Sequence, residues 1–261
     1  MIWTQQLTID VVGLAALYGR LAGFFFGLPL YSSSLLPVPW RAALPLAVSV
    51  LLAPALPPDW GRVVGMATHS VPGLALLMLR ELALGLTAAL FVRLLQEIWF
   101  LAGDLIGMEM GLSFAQQIDP NLEQESNLIS TFFGHLFILL LLATGMHLDL
   151  LRLVVQSVER MPPGGFVPDV ALADAVGAGA ARLFSEALRL ALPVFVAIGL
   201  VQLGMAMVAR FCQDFEVLML AFPVQIGVGL LVLALSVPAL VGANRGLAQE
   251  VVEMVGAVLG S

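Results

Sequence analysis

The feature that most restricts how this chain can fold is a series of apolar segments near membrane-spanning length, every one of them interrupted. A spanning helix needs about 20 mostly apolar residues, and six segments approach that length: 11–30, 42–56, 71–102, 128–148, 187–211 and 217–241. Arg20 sits in the middle of the first, and Pro45 and Pro54 punctuate the second. Arg80, Glu81, Arg93 and Glu97 fall within the third, which is long enough for a bent helix or a hairpin. Pro193, Pro223 and Pro238 break up the last two. A proline at such depth removes a backbone hydrogen bond that protein neighbours or cavity water must replace. A charge there is costly unless it is paired, wetted or used. The pattern predicts an all-α, membrane-associated protein whose broken helices pack mainly on other protein, with limited lipid contact.

Composition narrows the function classes. The chain is 60% hydrophobic and 11% charged, with a mean hydropathy of +1.01, whereas soluble domains carry about 25% charged residues. Its net charge is −7 and its 11 basic residues are all arginine, so a basic face for nucleic acid is absent. The one cysteine, Cys212, excludes an internal disulfide and cannot form a metal cluster alone. His69, His135 and His147 fit no metal-binding spacing, and there is no Walker A sequence, no GxGxxG in a strand–helix context and no GxSxG. Ser113 has no evident base. No catalytic, cofactor-binding or metal-binding residue is therefore expected. The N-terminus lacks a basic n-region, so the first apolar run reads as a retained helix. Residues 94–151 hold seven acids and no arginine, which leaves membrane orientation unassigned, because orientation follows Lys and Arg. The least apolar stretch is 149–186, and within it MPPGGFVPDVALAD at 161–174 reads as a surface loop. No linker separates independent cores, so a single domain over 1–261 is expected.

One stretch, GDLIGMEMGLSFAQQIDP at 103–120, combines carboxylates, glycines and soft apolar side chains. Glycines every four residues allow close backbone approach or departure from helical geometry. Methionine and phenylalanine make deformable apolar contacts. Gly107, Met108, Met110, Gly111, Leu112 and Phe114 are thus candidates for a non-helical gate or packing hinge, with ordinary helix-packing core as the plain alternative. Asp104 and Glu109, together with Arg20 and Glu81, are the candidate buried polar groups. Three roles stay open for the acids: contact with a neighbouring subunit, helix capping, or proton and ion coupling. Arg80 and Glu81 are adjacent and point about 100° apart on a helix, so they cannot face each other, whereas Arg93 and Glu97 at i,i+4 can pair. Asp119 and Pro120 read as an N-cap and first residue of a following helix.

These residues match a family. The chain resembles the FliR family of flagellar biosynthesis and type III secretion export-gate proteins. Arg20 followed by Phe26 and Pro29, the turn at Pro39 and Arg41, RELALG at 80–85, the 103–120 segment and AFPVQIGVGL at 221–230 carry the likeness. It departs from the family at Gln213–Val217, where a Pro-Gln-x-Asn-Val turn is usual. The resemblance implies a fusion of a FliP-like part with a FliQ-like helical hairpin, packed in a helical export-gate assembly. Implied partners are FliP-like and FliQ-like subunits, an FlhB-like subunit and unfolded export substrates. The implied location is the bacterial inner membrane, within the flagellar basal body or the type III secretion apparatus. On this reading 107–114 projects into the conducting path as part of a plug. A different class, a secondary transporter of small molecules with Glu81, Asp104 and Glu109 as coupling acids, is the alternative.

Overall fold

A chain this poor in polar side chains has few groups with which to satisfy its backbone, so its apolar runs close their hydrogen bonds internally as helices. The computed structural model describes residues 2–32, 37–67, 70–112, 128–211 and 217–260, and all regular structure among them is helical. The helices are α1 (Ile2–Gly27), α2 (Pro29–Ser32), α3 (Val38–Leu52), α4 (Pro58–Ala67), α5 (Val71–Glu109), α6 (Leu128–Ala143), α7 (Met146–Arg160), α8 (Val170–Phe211) and α9 (Val217–Val258). Three of them, α5, α8 and α9 from Ala221 onward, are long and apolar enough to cross a membrane.

The third apolar segment is a single helix and not a hairpin. It is one 39-residue helix that runs through Ala102 and Gly107 to Glu109. Its interior holds no proline beyond the first turn, where a missing N–H costs nothing. The segment at 128–148 does break, at Gly145, whose φ of +76° ends one helix and precedes the next. The loop after α7 is shorter than its sequence suggests. Asp169 accepts a hydrogen bond from the Leu172 N–H at 2.8 Å and so starts α8 at Val170.

The chain groups into two compact units. The first comprises residues 1–94, 145–180 and 248–261. Here α1 packs on α3 and α4 and lies directly against the first half of α5. Gly19, Gly23 and Gly27, spaced one turn apart, form the seam. A methyl group on Gly23 would sit 2.5 Å from the Leu82 carbonyl oxygen, and one on Gly27 would overlap the Ala89 side chain. From the other side, a methyl on Gly85 would overlap the Arg20 carbonyl. Leu17, Leu21 and Phe24 of α1 and Leu84, Ala88, Phe91 and Val92 of α5 are buried in this unit.

The second unit comprises residues 95–144 and 181–247. Gly103 of α5 meets Ser130 of α6 so closely that a Cβ would lie 2.5 Å from the Ser130 Cα. The Ser130 hydroxyl donates to the Phe100 carbonyl at 3.1 Å. Trp99 lies beside Phe133 and Phe137, with ring centroids 5.9 and 6.4 Å apart. Such aromatic pairs contribute about 0.5–1.5 kcal/mol each beyond burial.

The seam sets an expectation. Gly85→Ala should separate α1 from α5 and lower the thermal midpoint of the detergent-solubilised protein by several degrees or abolish its accumulation. Gly177→Ala, in open space on α8, should leave the midpoint unchanged or raise it slightly, since alanine favours helix by about 1 kcal/mol over glycine. Equal melting of the two variants would show that the seam is not tight.

Candidate functional site

Two places gather the residues singled out from the sequence. The first lies where α1 and α5 touch. Because glycines remove the side chains between them, Arg20 and Glu81 meet head to head. Arg20 Nε donates to Glu81 Oε2 at 2.7 Å and Nη2 donates to Oε1 at 3.3 Å. Both side chains are fully buried. The remaining donors of the guanidinium cap the end of α7. Nη1 reaches the Ser157 carbonyl at 2.9 Å and the Ser157 hydroxyl at 3.0 Å, and Nη2 reaches the Met161 carbonyl at 3.2 Å. A cation at a helix C-terminus is favoured by the partial negative charge there. The Trp60 ring lies 5.2 Å from Arg20 Cζ, and its indole N–H donates to the Val158 carbonyl at 2.9 Å. Glu81 Oε1 also accepts the Gly164 N–H at 2.8 Å, while neighbouring Arg80 donates to the Gly164 carbonyl at 2.9 Å. Each charged atom is thus met by protein, which is what makes burial of the pair tolerable.

Arg80 and Glu81 diverge as their adjacency requires: the one binds the loop backbone and the other Arg20. Arg93 donates to the Gly27 carbonyl at 2.8 Å, closing the last turn of α1. The partner of Glu81 was the element missed by sequence reasoning. The spacing of Gly19, Gly23 and Gly27 was the signal that could have found it, since small residues every four positions mark a close helix contact.

The second place is the end of α5. The sequence suggested a broken or non-helical 107–114. Instead Gly107 and Met108 are helical, Gly107 buried and Met108 exposed, and the chain leaves the helix only after Glu109. Gly111, at φ +76°, is the one described residue there in the left-handed region. The Leu112 N–H bonds the Gly107 carbonyl at 3.1 Å and the Gly111 N–H bonds the Met108 carbonyl at 3.0 Å. That pair of bonds is a Schellman ending, which needs one glycine, and it explains why Gly111 turns while Gly107 does not. Met110 is fully buried. It fills a notch at Gly229 of α9, where a Cβ would lie 2.6 Å from Met110 Cε and 3.0 Å from its Cγ. Phe222 of α9 covers Gly111, its Cε1 2.7 Å from where a Cβ would be. Leu112 is half-buried, and Phe114 lies outside the described residues, as do Asp119, Pro120 and the divergent turn at 213–216.

Asp104 and Glu109 are half-buried near the C-terminal end of α5. Neither begins a helix, so neither acts as an N-cap, and Glu109 in the last turn faces the unfavourable end of the helix dipole. Among the described residues no group of three or more His, Cys, Asp or Glu side chains is placed to hold a metal ion. A recess of about 390 Å³ between the 161–169 loop and the ends of α8 and α9 is lined mainly by apolar residues such as Phe166, Leu172 and Met254. Its one acid, Asp169, is engaged in starting α8. The arrangement packs and holds.

Three helices long and apolar enough to cross a membrane define an all-helical, membrane-associated protein. Residues 11–251 match the family described as bacterial export proteins, family 1. The chain belongs to this family, the FliR family. It is 28% identical over 203 residues to the flagellar biosynthetic protein FliR of Caulobacter vibrioides, covering 78% of this chain and 79% of that protein. It is 29% identical over 239 residues to the protein of that name from Aquifex aeolicus, covering 88% and 87%. With its Escherichia coli K12 counterpart it shares 23% identity over 193 residues, covering 72% and 70%.

Breaking the ion pair from one side should be costly. Arg20→Met or Glu81→Leu alone leaves a buried charge uncompensated and should destabilise by about 3–5 kcal/mol. Combining the two substitutions should restore part of that loss, though the Ser157 and Met161 carbonyls still lack their donor. Thermal melts of the three variants in detergent test this. Strictly additive losses would show that the two side chains do not act as a pair.

Proposed function

We propose that this chain is a core subunit of the flagellar or type III export gate, forming part of the channel by which unfolded proteins cross the bacterial inner membrane. FliP-like, FliQ-like and FlhB-like subunits are its partners, and the turn after α5, with 107–114, contributes to the closure of the resting channel. Family membership over 11–251 supports the export role. The observation that favours this reading over a small-molecule transporter is the state of Glu81. Both its oxygens are engaged by Arg20 and the Gly164 N–H, and it is fully buried. A coupling acid has to exchange a proton or an ion with a pathway, and Glu81 is closed in by its partners among the described residues. Its role is to hold α1, α5 and the 161–164 loop together.

A methionine-rich apolar constriction suits a channel that must stay tight to ions and still admit an unfolded chain. Apolar side chains at a constriction exclude water, and unbranched thioethers repack around varied cargo. Co-expression with FliP-like and FliQ-like subunits should give a stable complex containing this chain. In that complex, deletion of 107–113 or replacement of Met110 and Phe114 by alanine should raise resting ion leak through the membrane several-fold while the subunits still co-purify. An assembled deletion complex as tight as the parent would place the closure elsewhere. Export abolished by Glu81→Gln in a normally assembled complex would instead favour the transporter-like role for that acid.

A further inference from the structure

The closed state of a channel needs a contact that holds it closed and can be undone. We propose that Met110 and Gly229 are that contact: a side-chain knob seated in a glycine notch on α9, which latches the turn after α5 and must be withdrawn when the channel opens. The inference rests on the reading of this turn as part of the closure.

Three features of the turn set it apart from ordinary core packing. First, Met110 is fully buried whereas Met108, two residues earlier, is 54% exposed, so the turn inserts one methionine into α9 and leaves the other outside. Second, the socket exists only because position 229 has no side chain: three atoms of Met110, Cγ, Sδ and Cε, lie 2.6–3.2 Å from where a Cβ would stand. Third, the turn is joined to the rest of α5 by the Schellman bonds at Gly107 and Met108, but the seat of Met110 at Gly229 is an apolar contact. Met110 meets Gly229, and the Phe222 ring lies over Gly111. Gln225 Oε1 stands 3.7 Å from the Cβ position of Gly111, but Met110 itself is seated by apolar contact, and methionine, unbranched and flexible, leaves such a seat without forcing its neighbours apart. The Schellman turn can then swing as a preformed piece.

Cysteine pairing tests this in the assembled complex. With Cys212, the one native cysteine, replaced by serine, Met110→Cys and Gly229→Cys are introduced together. The Cβ at 229 would lie 3.0 Å from Met110 Cγ, the place a cysteine sulfur at 110 would take, and an S–S bond of about 2.0 Å puts the facing Cβ at about that distance from the sulfur. Oxidation should form the bond and lower export of a flagellar substrate at least tenfold, and dithiothreitol should restore the same preparation. A cross-linked complex that exports as fast as its reduced form would overturn the latch. Failure of the bond to form in an assembled complex would overturn it too, since the two residues would not then be in contact. Gly229→Ala is the second measurement: it should crowd Met110 from its notch and raise resting ion leak several-fold with subunits still co-purifying. If deletion of 107–113 leaks and Gly229→Ala does not, the closure is where we place it and the latch is not. If neither leaks, the reading of the turn as the closure fails first.

Discussion

The bond between Arg20 and Glu81 is the interaction on which the first unit depends. Two ions removed from water lose several kcal/mol each in solvation, and their attraction offsets this only when geometry and accessory hydrogen bonds are complete. Here completeness comes from three chain regions far apart in sequence: α1 and α5 supply the ions, and the end of α7 with its following loop supplies carbonyls and an N–H. The glycine seam is the precondition. Were Gly23 or Gly85 any larger, the helices would stand apart and the guanidinium would lose its carboxylate. Small residues and a buried pair thus form one device: neither is useful without the other.

How much of this was readable beforehand depended on whether the cause was local. Apolar length announced the helices, and Arg20 and Glu81 stood out as charges within them. Their pairing did not, because a contact across 61 positions leaves no periodic trace. The two helix endings divide in the same way. Gly111, followed by an apolar Leu112 after a helical run, was a local stop signal of a known kind. Reading Gly107 as an equal partner was mistaken, because a buried glycine within a helix serves packing and stays helical. The closing of Met110 onto Gly229 was out of reach of the sequence, since 119 residues on nothing in GVGL names its occupant. The short loop before α8 could have been found from Asp169, an acid standing just ahead of a helix-forming run.

The long helices α8 and α9 are far less enclosed than α5. In their apolar windows 17% of residues are buried, against 44% for α5. On α8, Leu192, Val196, Leu200, Leu203, Met207 and Phe211 recur every three or four positions and all stand exposed. Helices apolar on nearly every side belong in an apolar medium. The chain therefore divides its labour: the residues around Arg20 are satisfied within the chain, while α8 and α9 display faces that their surroundings must cover.

The same ion pair carries a consequence for biosynthesis. A ribosome delivers Arg20 well before Glu81, and Ser157 and Met161 later still. Until α5 follows, α1 holds a cation in an apolar helix with nothing to neutralise it, a state that the membrane interior disfavours. In chain order the carboxylate of α5 is available to the guanidinium first, and the carbonyls of Ser157 and Met161 that complete its shell are made last.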